Sequence, residues 1–141
     1  MSDPTTPSKS EVVAQGMKRV CSDFHKQLRG LGFKRSGKRS WARRTGTIVD
    51  SIHVQRHGAT YGAPGNYSVD LRIILNVKRD SGKRLNEDML YSDLVRKPSG
   101  YAYHHRFNAL SWSTYDRCVK ELGEFASEFA DPWFASRRQQ S

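Results

Sequence analysis

The feature that most constrains the fold is the run Tyr67 to Val77. Here Tyr67, Val69, Leu71, Ile73, Leu75 and Val77 alternate strictly with residues that, apart from Ile74, are polar: Ser68, Asp70, Arg72 and Asn76. Successive side chains of a strand point to opposite faces, so the alternation predicts a β-strand with one buried face and one polar face. A sheet made of such strands needs an apolar cover on one side only, as in an antiparallel sheet backed by helices.

Two helical stripes supply that cover. Val13, Met17, Val20, Cys21, Phe24, Leu28 and Leu31 recur on a 3.6-residue period from Ser10 onward. Ser8 and Glu11 stand three apart and read as a capping box, while Gly30 and Gly32 read as the stop. The other face of this helix carries Lys18, Arg19, Lys26 and Arg29 and reads as a solvated face. The second stripe, over about 114–129, is Tyr115, Cys118, Val119, Leu122, Phe125, Ala126 and Phe129. Ser113 followed by Asp116 marks its start and Asp131-Pro132 its end.

Between the helices, 38–44 and 48–57 are β-compatible runs joined by Thr45-Gly46-Thr47, a hairpin pattern. Residues 58–66 are a glycine-rich loop, and 78–100 are polar and turn-rich with short structure expected around Met89–Leu94. Tyr101 to Phe107 alternates again and predicts a fourth strand. The sum is a single α+β domain over 10–135: an antiparallel sheet of about four strands with the N- and C-terminal helices packed on one face. A disordered leader, 1–9, is expected before it and a frayed tail, 136–141, after it.

A chain of 141 residues has room for one domain, and 15 aromatic residues suffice for its core. No apolar run approaches the ~20 residues of a membrane span and no secretory signal opens the chain, so a cytoplasmic protein is expected. Cys21 and Cys118 lie in apolar stripes without Cys-x-x-Cys spacing and read as buried thiols. No Gly-x-Ser-x-Gly and no phosphate-binding loop occurs, and no cofactor or metal is expected.

The charge is the strongest functional signal. There are 24 Lys and Arg against 14 Asp and Glu, a net +10, and residues 33–44 hold +6 of it with no acid. The candidate anion-binding residues are Lys34, Arg35, Lys38, Arg39, Arg43 and Arg44, with Trp41 among them. Aromatic rings interleaved with cations suit nucleic acid, where bases stack while phosphates pair. Six phosphate contacts would weaken binding by ~10³-fold between 50 and 200 mM salt. An acidic protein, met by an inhibitor-like or immunity-like module, is the alternative partner. A charged hairpin that merely discourages strand addition is the bland one, with Trp41 and Phe33 as core anchors.

A second candidate surface follows from parity. If Ile48, Ile52 and Val54 face the helices, then Ser51, His53, Gln55 and His57 face away, as do Asp70, Arg72 and Asn76. With His104 and Arg106 added, this polar face offers one conceivable hydrolytic arrangement, Asp70 orienting His53 as a base. His53 and His57 would stand ~13 Å apart along a strand, too far to share a metal ion. Without a nucleophile signature, the chain reads as a binding domain more than as an enzyme.

Several short motifs resemble the DUF4304 family, a domain of unknown function. They are Gly32-Phe33-Lys34-Arg35, the basic run 36–44 with Trp41, Ile52-His53-Val54-Gln55 and Tyr67-Ser68-Val69-Asp70-Leu71. His104-x-Arg106 and Asp131-Pro132-Trp133-Phe134 are similar to its later landmarks, and the resemblance covers about 12–135. Asp70 stands where the family pattern has Asn, and 78–100 has no counterpart. The resemblance implies architecture and brings no substrate, cofactor or catalytic residue.

Overall fold

A computed structural model describes residues 7–57, 67–79 and 89–139. The expected glycine-rich loop 58–66, most of the expected leader and the last two residues lie outside the described residues. The first helix, α1 (Lys9–Gly30), begins where the capping residue places it, with Ser8 Oγ accepting the Glu11 amide at 3.2 Å. It ends where Gly32 takes a φ of +92°, and the Phe33 amide returns to the Leu28 carbonyl at 3.0 Å. Val13, Met17, Val20, Cys21, Phe24 and Leu28 of the expected stripe are buried, together with Gly16, while Leu31, just past the helix, is partly buried.

Among the described residues the sheet has six strands: β1 (Lys34–Gly37), β2 (Ser40–Thr45), β3 (Ile48–His57), β4 (Ser68–Arg79), β5 (Leu90–Tyr91) and β6 (Arg106–Asn108). All pairs are antiparallel, in the order β1-β2-β3-β4-β5, with β6 also on β4. The two extra strands are β1 and β5, both too short to show an alternation in sequence. Along β4, Val69, Leu71, Ile73, Leu75 and Val77 are all buried, as the alternation requires. Trp41, Ile52 and Val54 extend the same face.

The fourth strand is shorter than 101–107. Lys97-Pro98-Ser99-Gly100 turns the chain back, with Gly100 at φ +93° and the Lys97 amide bonded to the Tyr101 carbonyl. Tyr101 is thereby left 76% exposed, and pairing with β4 starts only at Arg106. Tyr103 and His105 still point inward, packed on the Phe125 ring at 5.3 and 5.7 Å.

The C-terminal helix also departs from expectation, because Asp131-Pro132 does not end it. After α2 (Tyr115–Glu124) the backbone widens into a π-helical segment, Phe125–Ala130, and continues as α3 (Asp131–Gln139). A proline lacks the N–H that an α-helix needs and its ring crowds the carbonyl four residues back. The widened turn, in which the Asp131 amide reaches the Ala126 carbonyl, lets the helix pass through Pro132. Residues 136–139 are therefore helical, not frayed. Among the described residues, no helix is long and apolar enough to cross a membrane.

The core contains polar groups that set its pH response. His105 is buried, with Nε2 3.3 Å from the Glu121 carbonyl oxygen, and burial lowers its pKa to about 4. The native ring stays neutral where the unfolded one, near its ordinary value, takes up a proton. Stability should therefore fall as pH drops from about 6.5 toward 4, by about 2–3 kcal/mol at pH 4.5. Urea unfolding at pH 7.5 and 4.5 checks this: His105→Leu should lose that part of the pH dependence, and an unchanged dependence would contradict it.

Candidate anion-binding groove

The strand register separates the six cations of residues 33–44 into three environments. Residues opposite one another in a ladder share a face of the sheet. Lys34 pairs with Ala42, Ala42 with Ser51 and Arg44 with Val49, which places Lys34 and Arg44 on the face away from the helices. Arg35 pairs with Trp41, and Arg43 with Asp50, which places both on the helix side. Lys38 and Arg39 occupy the turn between β1 and β2.

Trp41 belongs to the core and Arg43, half-buried, is committed to partners within the chain, which corrects their assignment to an anion-binding surface. Arg43 donates to Asp50 Oδ2 at 2.9 and 3.1 Å, to Asp131 Oδ1 at 2.8 Å and to the Leu31 carbonyl at 2.8 Å. Its guanidinium covers the Phe33 ring at 4.3 Å. Trp41 is 0% exposed, meets Phe24 edge-on at 5.4 Å and donates its indole N–H to His25 Nδ1 at 3.1 Å. A ring held in this way offers no face for a base.

The remaining helix-side cations converge. A groove of about 690 Å3 runs between α1 and the β1–β2 hairpin, with Ala14, Met17 and Cys21 at its floor and Lys18, Arg35, Lys38 and Arg39 around it. It adjoins a second hollow of about 510 Å3 that shares Ala14, Met17 and Arg39 and adds Lys9 and Arg56. Among the described residues, no acidic residue lines either. Lys18 belongs to the helix face that reads as merely solvated. Its position four residues after Ala14, beside the apolar stripe, is the signal that marks it as a groove residue.

Electrostatics elsewhere in the chain explain why this charge is left over. Lys97 and Arg117 pair with Glu121, Lys97 and Lys120 with Glu124, Lys26 with Asp23, and Arg106 with Asp70. Asp50 takes both Arg43 and Arg138. Burial alone would raise the Glu121 pKa, but Lys97, the His104 amide and Arg117 bring it down to about 2. Lys18, Lys34, Lys38 and Arg39 form no ion pair among the described residues, and Arg35 donates to the Lys38 carbonyl at 2.9 Å while lying 5.6 Å over Trp41. Among the described residues the groove is thus a set of cations without counter-charges. Its floor carries no activated nucleophile, since burial pushes the Cys21 thiol up and Arg39 and Arg35 oppose this only in part.

The polar sheet face is also present, and Ser51, His53, Gln55, His57, Asp70, Arg72 and Asn76 do face away from the helices, as parity requires. The catalytic arrangement suggested for it is not formed. Asp70 lies opposite His57, and His53 lies opposite Ile74, four residues further along β4, hence ~13 Å from Asp70. His53 Nδ1 is 2.8 Å from Ser40 Oγ. Gln55 Oε1 accepts from Arg72 at 2.7 and 3.2 Å, and Arg72 lies over Tyr91. His104 stands off the sheet, its amide donating to Glu121 Oε1 at 2.7 Å. With His57, Asp70 and Arg106, it borders a separate hollow of about 290 Å3. No three His, Cys, Asp or Glu side chains among the described residues are placed to hold one metal ion.

Comparison of the chain with protein-family models, with curated proteins and with solved structures finds no match in any of the three.

Proposed function

We propose that this chain is a small, non-enzymatic cytoplasmic domain of DUF4304 type whose basic groove engages an anionic partner, and that the partner is nucleic acid. The observation that carries the reading is the convergence of Lys18, Arg35, Lys38 and Arg39 on one concave surface with no carboxylate among the described residues. Cations drawn together in a cleft focus a positive potential, and a polyanion that enters it releases its own counterions. An isolated solvated lysine does neither. Lys34, on the other face of the same hairpin, extends the field beyond the groove.

Four phosphate contacts, one for each cation of the groove, set the size of the effect. Affinity for single-stranded and double-stranded oligonucleotides should fall roughly 50-fold and 150-fold, respectively, between 50 and 200 mM salt. Fluorescence anisotropy with labelled strands at the two salt concentrations measures this. No binding at 50 mM, or binding that ignores salt, would overturn the proposal. An acidic protein recovered in place of nucleic acid in that first case would redirect it to the interaction-module reading.

A further inference from the structure

Resting on that reading, we infer that the groove holds nucleic acid by its phosphodiester backbone alone and is blind to the bases. Proteins that grip bases without reading sequence do so on exposed aromatic rings, and those that read sequence present oriented donors and acceptors to base edges. Among its described residues the groove has neither an aromatic ring nor a side chain held in place to face a base edge. The two aromatic residues of the basic segment are both in the core: Phe33 is 2% exposed and packs on Phe134 at 5.9 Å under the Arg43 guanidinium, and Trp41 is held by Phe24 and His25. The floor of Ala14, Met17 and Cys21 has no π-face.

Base-edge readout fares no better. Among its described residues the groove has no carboxylate to accept from cytosine, and the nearby Gln55 has its Oε1 committed to Arg72. Arg35 is held by the Lys38 carbonyl, which limits its use as a two-pronged donor to guanine. Lys18 and Lys38 are compact point charges, and an ammonium group matches a phosphate oxygen without selecting a base. Arg39 lies exposed in the β1–β2 turn, where no described side chain holds its fork in one orientation towards a base edge. The exposed large apolar side chains among the described residues, Leu94, Tyr101 and Leu110, do not line the groove.

The test uses the whole chain and three labelled strands of equal length at 50 mM salt: oligo-dT, oligo-dA and an abasic deoxyribose-phosphate strand. All three should bind within about threefold of one another, because each stacked base would add roughly five- to 150-fold. An abasic strand that binds more than about tenfold more weakly than either oligonucleotide would overturn the inference while leaving groove binding intact. So would a preference of that size between oligo-dT and oligo-dA. Failure of all three to bind would overturn both the inference and the function on which it rests.

Discussion

Asp50→Ala should cost about 3–5 kcal/mol of folding stability, the largest single-residue charge effect expected in this chain. Asp50 is 0% exposed, the third residue of β3, on the helix-facing side. Burial pushes its carboxyl up, and Arg43 and Arg138 pull it back by hydrogen bonding and charge. Removing the carboxylate leaves two guanidinium groups facing each other inside the protein. Arg43 retains Asp131 and the Leu31 carbonyl, whereas Arg138 loses its tie to the sheet. Asp131→Ala is the control, because that carboxylate is 40% exposed and water can replace it, so the cost should stay near ~1 kcal/mol or less. Equilibrium unfolding in urea of the two variants decides the matter: equal, small losses would mean that the Asp50 cluster is not a buried ion network.

Trp41→Ala should cost about 3–5 kcal/mol, the usual range for emptying a fully buried aromatic site. The indole fills space against Phe24 and supplies a donor to His25, so the variant loses packing and leaves an imidazole nitrogen without its partner. The functional counterpart is the more telling. Trp41→Leu, measured under conditions where it is folded, should bind oligonucleotide with affinity unchanged to within about twofold, because the ring contributes no stacking. A loss of more than about tenfold in that folded variant would return Trp41 to the binding surface.

Much of this architecture is legible in the chain because local periodicity reports burial. The alternation at 67–77 places five core residues correctly, and the stripe from Val13 to Leu28 places six more. The sheet parity of β3 and β4 follows from the same rule. What periodicity does not report is long-range pairing. Asp50 falls on the core side of its strand, between Ile48 and Ile52, yet its partner Arg138 is 88 residues away and Arg43 reaches Asp131 over the same separation. Only the folded chain reveals that these charges pair, with Asp50 Oδ2 taking both guanidinium groups.

The same limit separates the basic residues into those that are committed and those that are not. Residues 33–44 look like one patch in sequence, but the ladder turns Lys34 and Arg44 one way, Arg35 the other, and draws Arg43 inside. Lys18 joins the groove from a helix that starts well before the hairpin, so no window on the basic run could include it. Pro132 misleads for a different reason. A proline is a stop signal only where the preceding turn is a regular α-turn, and the π-helical segment 125–130 removes that condition.

The central claim is that Lys18, Lys38 and Arg39 act together on one polyanion, and the salt dependence of binding tests it most directly. The slope of log affinity against log salt is measured for the parent chain, for Lys18→Gln, Lys38→Gln and Arg39→Gln singly and combined, and for Lys120→Gln on α2, where the lysine sits near Glu124. Each groove substitution should reduce the slope by about 0.7 for a single strand and about 0.9 for a duplex, and the triple variant by about three times that amount. The Lys120→Gln slope should equal the parent's. A triple variant that binds with the parent's slope, or a loss as large from Lys120→Gln as from Lys18→Gln, would contradict the account.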